Sequence, residues 1–464
     1  MVTKTDIGLK NFFIFNSTIT AKEGEELKKI LYYYPITDHA DVQIRNVGLV
    51  EGIINFTETF KPSSPVNSLH TSNSRQLYFQ PEKDFWIVMT LHLTNQSKSK
   101  DGLNNIEQTL EDDIQDNVYE ALLKQSYYVF RLFWNTFKSY KDIDALKVKL
   151  EKFFNPYLKC LNLAHADILD IFNGIQYLPL DKNTFLKVQC FVNHLESSYP
   201  EISHTAFLYN DHLIWSGIEP EDMQTIYQYL IGTLLPANVE TELQGGSMPR
   251  NASSPFMALR HGRFITGPTN LKLAKTMGEL PKLYLFGGAK SVEYYFVVYR
   301  ALSATVCFFI KADTVLTLDF FKQLDELVSP KLISLVTEIA EYCSKQIVSP
   351  SVLPDAAPKF IYFNKLNLAY KSTVHLDNKH TGNLACSKES MRIMADIQEK
   401  TGLLGKSNET ILKTMNDYWI VGKCSNSRQF YIALQQKNAS LIEISDEIKK
   451  LCDSELKGIF FHPV

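Results

Sequence analysis

Three times along this chain, two short strands rich in aromatic and β-branched residues are followed by a helical stretch, then by further strands and a closing helix. The openings are Phe12–Ile19 with Lys28–Tyr34, Thr205–Tyr209 with His212–Gly217, and Lys359–Phe363 with Asn367–Val374. Short links between successive strands allow antiparallel pairing, whereas parallel neighbours need a long crossover each time. The order therefore points to an α+β sandwich and against a doubly wound nucleotide-binding sheet. A length of 464 residues agrees, since it holds about three domains of roughly 150 residues. The expected domains are 1–200, 201–350 and 351–464.

The first module carries the candidate site. After its two strands, Pro35 and Asp38 break the pattern, and from Asn46 to Phe60 the apolar period becomes helical. Leu49, Ile53, Phe56 and Phe60 fall on one stripe, which Val50 and Ile54 widen, and Pro62 and Pro65 stop the helix. Asn67–Thr71, Arg75–Phe79 and Phe85–Leu93 read as strands. Beyond the polar loop Asn95–Asn105, a helical pattern runs from Leu110 to Phe137, followed by helices at Ile143–Leu161 and Phe185–Leu195. The first domain is thus expected to have two layers, one sheet with helices, plus a helical extension. Gly48 and Gly52 stand one helical turn apart, and glycine inside a helix costs up to about 1 kcal/mol relative to alanine. Either another chain approaches closely there, or the helix packs tightly on its own sheet.

In the second module Tyr209-Asn-Asp-His212 reads as a hairpin turn, and Glu219-Pro-Glu-Asp222 as an acidic helix start with proline inside it. A Gly/Ser/Pro/Asn-rich loop, Ala237–Pro255, precedes strands at Arg263–Thr266, Lys282–Phe286, Glu293–Tyr299 and Thr305–Ile310, and a helix at Leu318–Ile347. The proline-rich Ser349–Pro358 marks a boundary. The third module has a helix at Lys388–Lys400, strands at Ile411–Met415, Tyr418–Cys424 and Gln429–Leu434, and a last helix at Leu441–Leu451.

No motif offers catalytic chemistry. Phe286-Gly-Gly-Ala-Lys-Ser291 lacks phosphate-loop spacing and reads as a hairpin turn. Asp112, Asp113 and Asp116 with Glu107 and Glu111 read as an acidic helix start rather than a cation site. The 11 histidines and 7 cysteines are scattered singly, without zinc-ligand spacing or a nucleophile motif. Thiols in that pattern suit a reducing compartment. A net charge of −3 supplies no global basic field for nucleic acid or anionic lipid, although sequence alone does not locate local patches. No apolar run reaches the ~20 residues of a membrane-spanning helix, so the composition reads as that of a soluble protein without cofactors. The aromatic clusters Tyr32–Tyr34, Tyr127–Tyr128 and Tyr294–Tyr295 read as packing residues, not a nucleic-acid groove.

The segment Ile44-Arg-Asn-Val-Gly-Leu-Val-Glu-Gly-Ile-Ile-Asn-Phe-Thr-Glu-Thr-Phe60 with Ser68-Leu-His-Thr71 resembles the Ccz subunit family of the Mon–Ccz vacuolar fusion complex, in its animal form. So do Leu169–Gly174, Thr205–Asp211 with Leu213–Gly217, Gly262–Pro268, Phe360–Asn364, Lys371–His375 and Asp417–Lys423, in matching order along nearly the whole chain. The resemblance implies three longin domains and half of a guanine nucleotide exchange factor for a late-endosomal Rab GTPase of the Rab-seven type. It further implies a Mon subunit as the other half, a propeller-containing third subunit, and work in endosome maturation, lysosome fusion and autophagosome clearance. Such a chain would be cytoplasmic, held on late endosomes or lysosomes through its complex. The expected Rab and Mon surface comprises Asn46, Gly48, Leu49, Glu51, Gly52 and Asn55, with Ser68, Leu69, His70 and Thr71 on the adjoining strand. The alternative is a longin scaffold or tether, of trafficking or ciliary planar-polarity type, that binds partners without exchange.

Overall fold

A computed structural model describes residues 6–19, 24–60, 66–71, 74–94, 115–161, 163, 166, 168–237, 262–268, 271, 278, 280–287, 291–346, 359–373, 388–404, 407–425 and 427–456. The loop at 95–105, most of 237–255, the linker at 349–358, Pro62, Pro65, Asp112, Asp113 and Cys386 lie outside them. The chain divides into two compact units, 1–171 and 172–464.

In the first unit, β1 (Asp6–Asn16), β2 (Ile30–Tyr34), β3 (Ser68–His70), β4 (Ser74–Glu82) and β5 (Phe85–Thr94) form one antiparallel sheet ordered β2-β1-β5-β4-β3. Helix α1 (Ala40–Phe60) covers one face, and α2 (Asp116–Trp134) with α3 (Ile143–Cys160) covers the other. The unit therefore has three layers where two were expected, and β1 carries the reason. Phe12-Phe13-Ile14-Phe15 is apolar at every position, so successive side chains must be buried on opposite faces. Phe12 and Ile14 pack with Leu122, Phe130, Leu150 and Phe154, while Phe13 and Phe15 pack with Val47, Val50 and Ile54. The helical extension is the lid of the second face. A short α4 (Ile168–Phe172) follows.

In the second unit, α5 (Lys182–Ser198) is followed by β6 (Ile202–Tyr209), β7 (His212–Ser216) and α6 (Pro220–Tyr229). After these come β8 (Arg263–Phe264), β9 (Lys282–Leu285), β10 (Val292–Ala301), β11 (Ala304–Lys311) and α7 (Leu318–Gln346). The sheet runs β7-β6-β11-β10-β8, with β9 also paired to β10. Asn210 takes a φ of 53° in the tight β6–β7 turn, as Tyr209-Asn-Asp-His212 suggested. β9 and β10 pair antiparallel across the Phe286–Ser291 connection, a hairpin as read; residues 288–290 lie outside the described ones. Helix α5, assigned on sequence to the end of the first domain, buries Val188, Val192 and Leu195 with Phe321, Leu324 and Leu332 of α7 in this sheet's core.

The third sheet comprises β12 (Lys359–Asn364), β13 (Ala369–Ser372), β14 (Ser407–Lys413), β15 (Tyr418–Ser425) and β16 (Arg428–Gln435), ordered β13-β12-β16-β15-β14. Helix α8 (Lys388–Leu404) falls between β13 and β14, and α9 (Leu441–Glu455) closes the module from a capping box at Ser440 and Glu443. The first and third sheets thus share one strand order, second, first, fifth, fourth, third; the six-stranded second sheet varies it, with both β8 and β9 paired to β10 where the others have a single last strand.

Residues 172–178 join the second and third sheets. Ile175 bridges Ala369 of β13 and Tyr177 bridges Leu213 of β7, both in parallel. Leu213 N–H donates to the Gln176 carbonyl at 2.8 Å and Tyr370 N–H to the Ile175 carbonyl at 2.8 Å. Phe172 packs against Phe363 and Tyr431 in tilted contacts, its centroid 5.5 Å from each ring.

Candidate partner-binding surface

Helix α1 sets a buried stripe against an exposed one. Val47, Val50 and Ile54 recur at spacings of three and four and bury themselves against Phe13, Tyr33, Trp86 and Val88. The stripe singled out on sequence faces away: Leu49 is 59% exposed, Phe56 64% and Phe60 74%. Between them, a Cβ built on Gly48 or Gly52 would meet nothing within 4 Å among the described residues. Tight packing on the module's own sheet therefore does not explain the two glycines. They leave a flat strip beside an apolar ridge in which the Phe56 and Phe60 rings meet edge-on at 4.9 Å. Covering such side chains from water stabilises a complex by about 1.5–3 kcal/mol each.

The polar candidates divide. Asn46 donates its Nδ2 to the Tyr33 hydroxyl at 2.7 Å, and that hydroxyl donates to Asp38 Oδ2 at 3.2 Å. Burial pushes the Tyr33 phenol above its ordinary range, and the neighbouring Asp38 carboxylate adds to the rise. Glu51 accepts from Lys29 Nζ at 2.9 Å. Asn46 and Glu51 thus dock the helix on β2 and the turn before it. Asn55, Gly48, Leu49 and Gly52 are exposed.

Strand β3 closes the sheet and, among the described residues, pairs only with β4, which leaves its outer edge unpaired among them. Leu69 packs with the same buried group as α1, while Ser68 and His70 turn to the N-terminus of α2. Ser68 Oγ donates to Asp116 Oδ2 at 2.6 Å, and His70 Nε2 lies 2.6 Å from the same oxygen. Arg75 meets His70 Nδ1 and lies 3.8 Å from Asp116 Oδ1. In a nucleophilic triad the imidazole bridges hydroxyl and carboxylate through its two nitrogens. Here the hydroxyl donates to the carboxylate directly, and the imidazole nitrogen 3.3 Å from that hydroxyl is the same Nε2 that faces Asp116, so the imidazole does not bridge the two as in a triad. The group is a clamp that holds β3 in place, and Thr71 extends it by donating to the Ser74 carbonyl at 2.9 Å. Among the described residues no His/Cys/Asp/Glu group is arranged to hold a metal ion, and no helix is long and apolar enough to cross a membrane.

Sequence reasoning left Phe56 and Phe60 out of the surface and read Asp116 only as a helix-start acid. The competing spacing Val47/Val50/Ile54 was the available signal for the first. For Asp116 there was none, because its partners lie more than forty residues away.

Three antiparallel sheets of closely related strand order, flanked by helices, define a protein of three longin-type modules. A family model described as "First Longin domain of INTU, CCZ1 and HPS4" matches residues 9–135, and those for Intu longin-like domains 2 and 3 match 202–329 and 355–451. The chain is 45% identical over 466 residues to a "Vacuolar fusion protein CCZ1 homolog" of Nematostella vectensis, covering 99% of each. It is 44% identical to the Xenopus laevis protein of that name over 98% of this chain and 97% of that one. The Dictyostelium discoideum protein is 28% identical over 98% of each. The chain belongs to the CCZ1 family of vacuolar fusion proteins.

Proposed function

We propose that this chain is one half of a heterodimeric guanine nucleotide exchange factor, paired with a Mon subunit and acting on a late-endosomal Rab GTPase of the Rab-seven type. The observation that carries the reading is the outward face of α1, with Leu49, Phe56 and Phe60 exposed beside the open strip at Gly48 and Gly52. Exchange of this kind requires no acid, base or nucleophile. A surface that binds the nucleotide-free GTPase more tightly than the loaded one lowers nucleotide affinity by the same factor, as linkage demands. An apolar ridge on a rigid helix, continued by the open edge of β3, suits that work. In this reading the Rab and the Mon subunit share the α1–β3 surface, and a propeller-containing subunit engages elsewhere. A domain boundary at about residue 350 belongs to the same proposal, while the one expected at about residue 200 moves ahead of α5, whose apolar side chains lie in the second sheet's core. So does placement in the cytoplasm on late endosomes and lysosomes, in endosome maturation, fusion and autophagosome clearance.

The test mixes the chain, alone and with the Mon subunit, with Rab loaded with fluorescent GDP. Release near the intrinsic rate is expected from the chain alone and strong acceleration from the pair, because each half supplies part of the surface. Full acceleration by the chain alone would contradict the composite surface. Rab binding by the pair without release would favour a scaffold instead.

A further inference from the structure

Residues 124–159 hold eight Lys or Arg against three Asp or Glu, in a chain whose net charge is −3. The folded hairpin of α2 and α3 gathers part of this charge around aromatic rings. Tyr128, Arg131 and Trp134 follow one another at three-residue steps along α2, the Arg131 guanidinium 5.1 Å from the Tyr128 ring centre. From α3, Lys149 and Lys152 place their ammonium groups 4.5 Å and 5.6 Å from the Trp134 ring centre. Lys138 and Lys141 are exposed in the connecting turn, and Ile143 and Val148 stand 42% and 62% exposed at the start of α3. Among the described residues, neither Lys149 nor Lys152 has a carboxylate within ion-pair distance. Of the three acids, Asp142 is turned to the α3 backbone as its N-cap.

We infer that this aromatic and basic face of the α2–α3 hairpin rests on an anionic phospholipid surface. The mixture decides the partner. An acidic peptide would meet the cations but gain nothing from Val148 and Ile143. A bilayer interface takes both groups: lipid phosphates receive the lysines, while the aromatic and aliphatic side chains enter the headgroup boundary that Trp and Tyr favour. The cation–π contacts do not oppose this, since at exposed sites they are weak enough to exchange for phosphate. The surface lies on the opposite side of the first sheet from α1, so one unit can touch lipid and a protein partner together.

The experiment uses the full chain with phosphatidylcholine vesicles, with and without phosphatidylserine, read by co-sedimentation and tryptophan emission. Binding to the anionic vesicles alone, with a blue shift that Trp134→Phe removes, is the expected result. Each lysine near such a surface contributes roughly fivefold in affinity, so Lys149→Gln with Lys152→Gln lowers binding about 25-fold, while the paired Arg variants retain it. Equal binding by the Gln variant, or equal binding to neutral vesicles, would overturn the inference. Rab nucleotide release in vesicle-free solution is unchanged by the Gln pair, so failure here leaves the exchange proposal standing.

Discussion

Ile54 and Phe56 sit two positions apart on α1, and replacing them should have opposite consequences. Ile54 is buried against the sheet, so Ile54→Ala is expected to cost about 2–5 kcal/mol of unfolding free energy by denaturant titration. Phe56→Ala removes an exposed ring and should leave the unfolding midpoint nearly unchanged, while costing about 2 kcal/mol or more of partner binding if the ridge is a hot spot. A large loss of stability with Phe56→Ala would put that ring in the core. The same pair explains what was legible at this scale. The helix existed plainly in the sequence, but Leu49/Ile53/Phe56/Phe60 and Val47/Val50/Ile54 both satisfy helical spacing. Periodicity locates an apolar stripe without telling which of two faces the sheet. With Val47, Val50 and Ile54 on the sheet, the second stripe is left exposed at Leu49, Phe56 and Phe60.

At the scale of elements, strands and hairpins followed closely from local chemistry, as at Asn210 and in the β9–β10 pair. The third layer of the first unit did not, because a helix patterned to cover a sheet carries no mark of which face it covers. The allegiance of α5 was hidden for the same reason: Val188, Val192 and Leu195 would suit any apolar sheet. The join at 172–178 was also out of reach, since its partners lie in β7 and β13, up to nearly two hundred residues away. Gly174 is the point where that join is tightest. A Cβ there would strike Tyr370 Cβ and sit 2.9 Å from the Leu368 carbonyl oxygen. Gly174→Val should therefore raise amide exchange at Ile175, Leu178 and Tyr370, with the β10–β11 and β15–β16 ladders still protected. Unchanged protection at Tyr370 would mean that the join tolerates bulk.

Across the whole molecule, three antiparallel sheets of closely related strand order, each flanked by helices, account for most of the chain's length. Such modules offer edges, helix faces and joins, which are means of assembly. In the first unit, α1 is held firmly by Val47, Val50 and Ile54, by the Asn46–Tyr33 hydrogen bond and by the Glu51–Lys29 ion pair. That support frees the opposite face to present apolar side chains without loss of the fold. Nucleotide release from the fluorescent-GDP-loaded Rab, driven by the heterodimer carrying Gly52→Trp, tests this most directly. A Cβ at that position would meet nothing within 4 Å among the described residues, so an indole is expected to fit without unfolding and to obstruct only an incoming partner. Release falling to the intrinsic rate with an intact unfolding midpoint is the expected result; release as fast as with the native pair would contradict it.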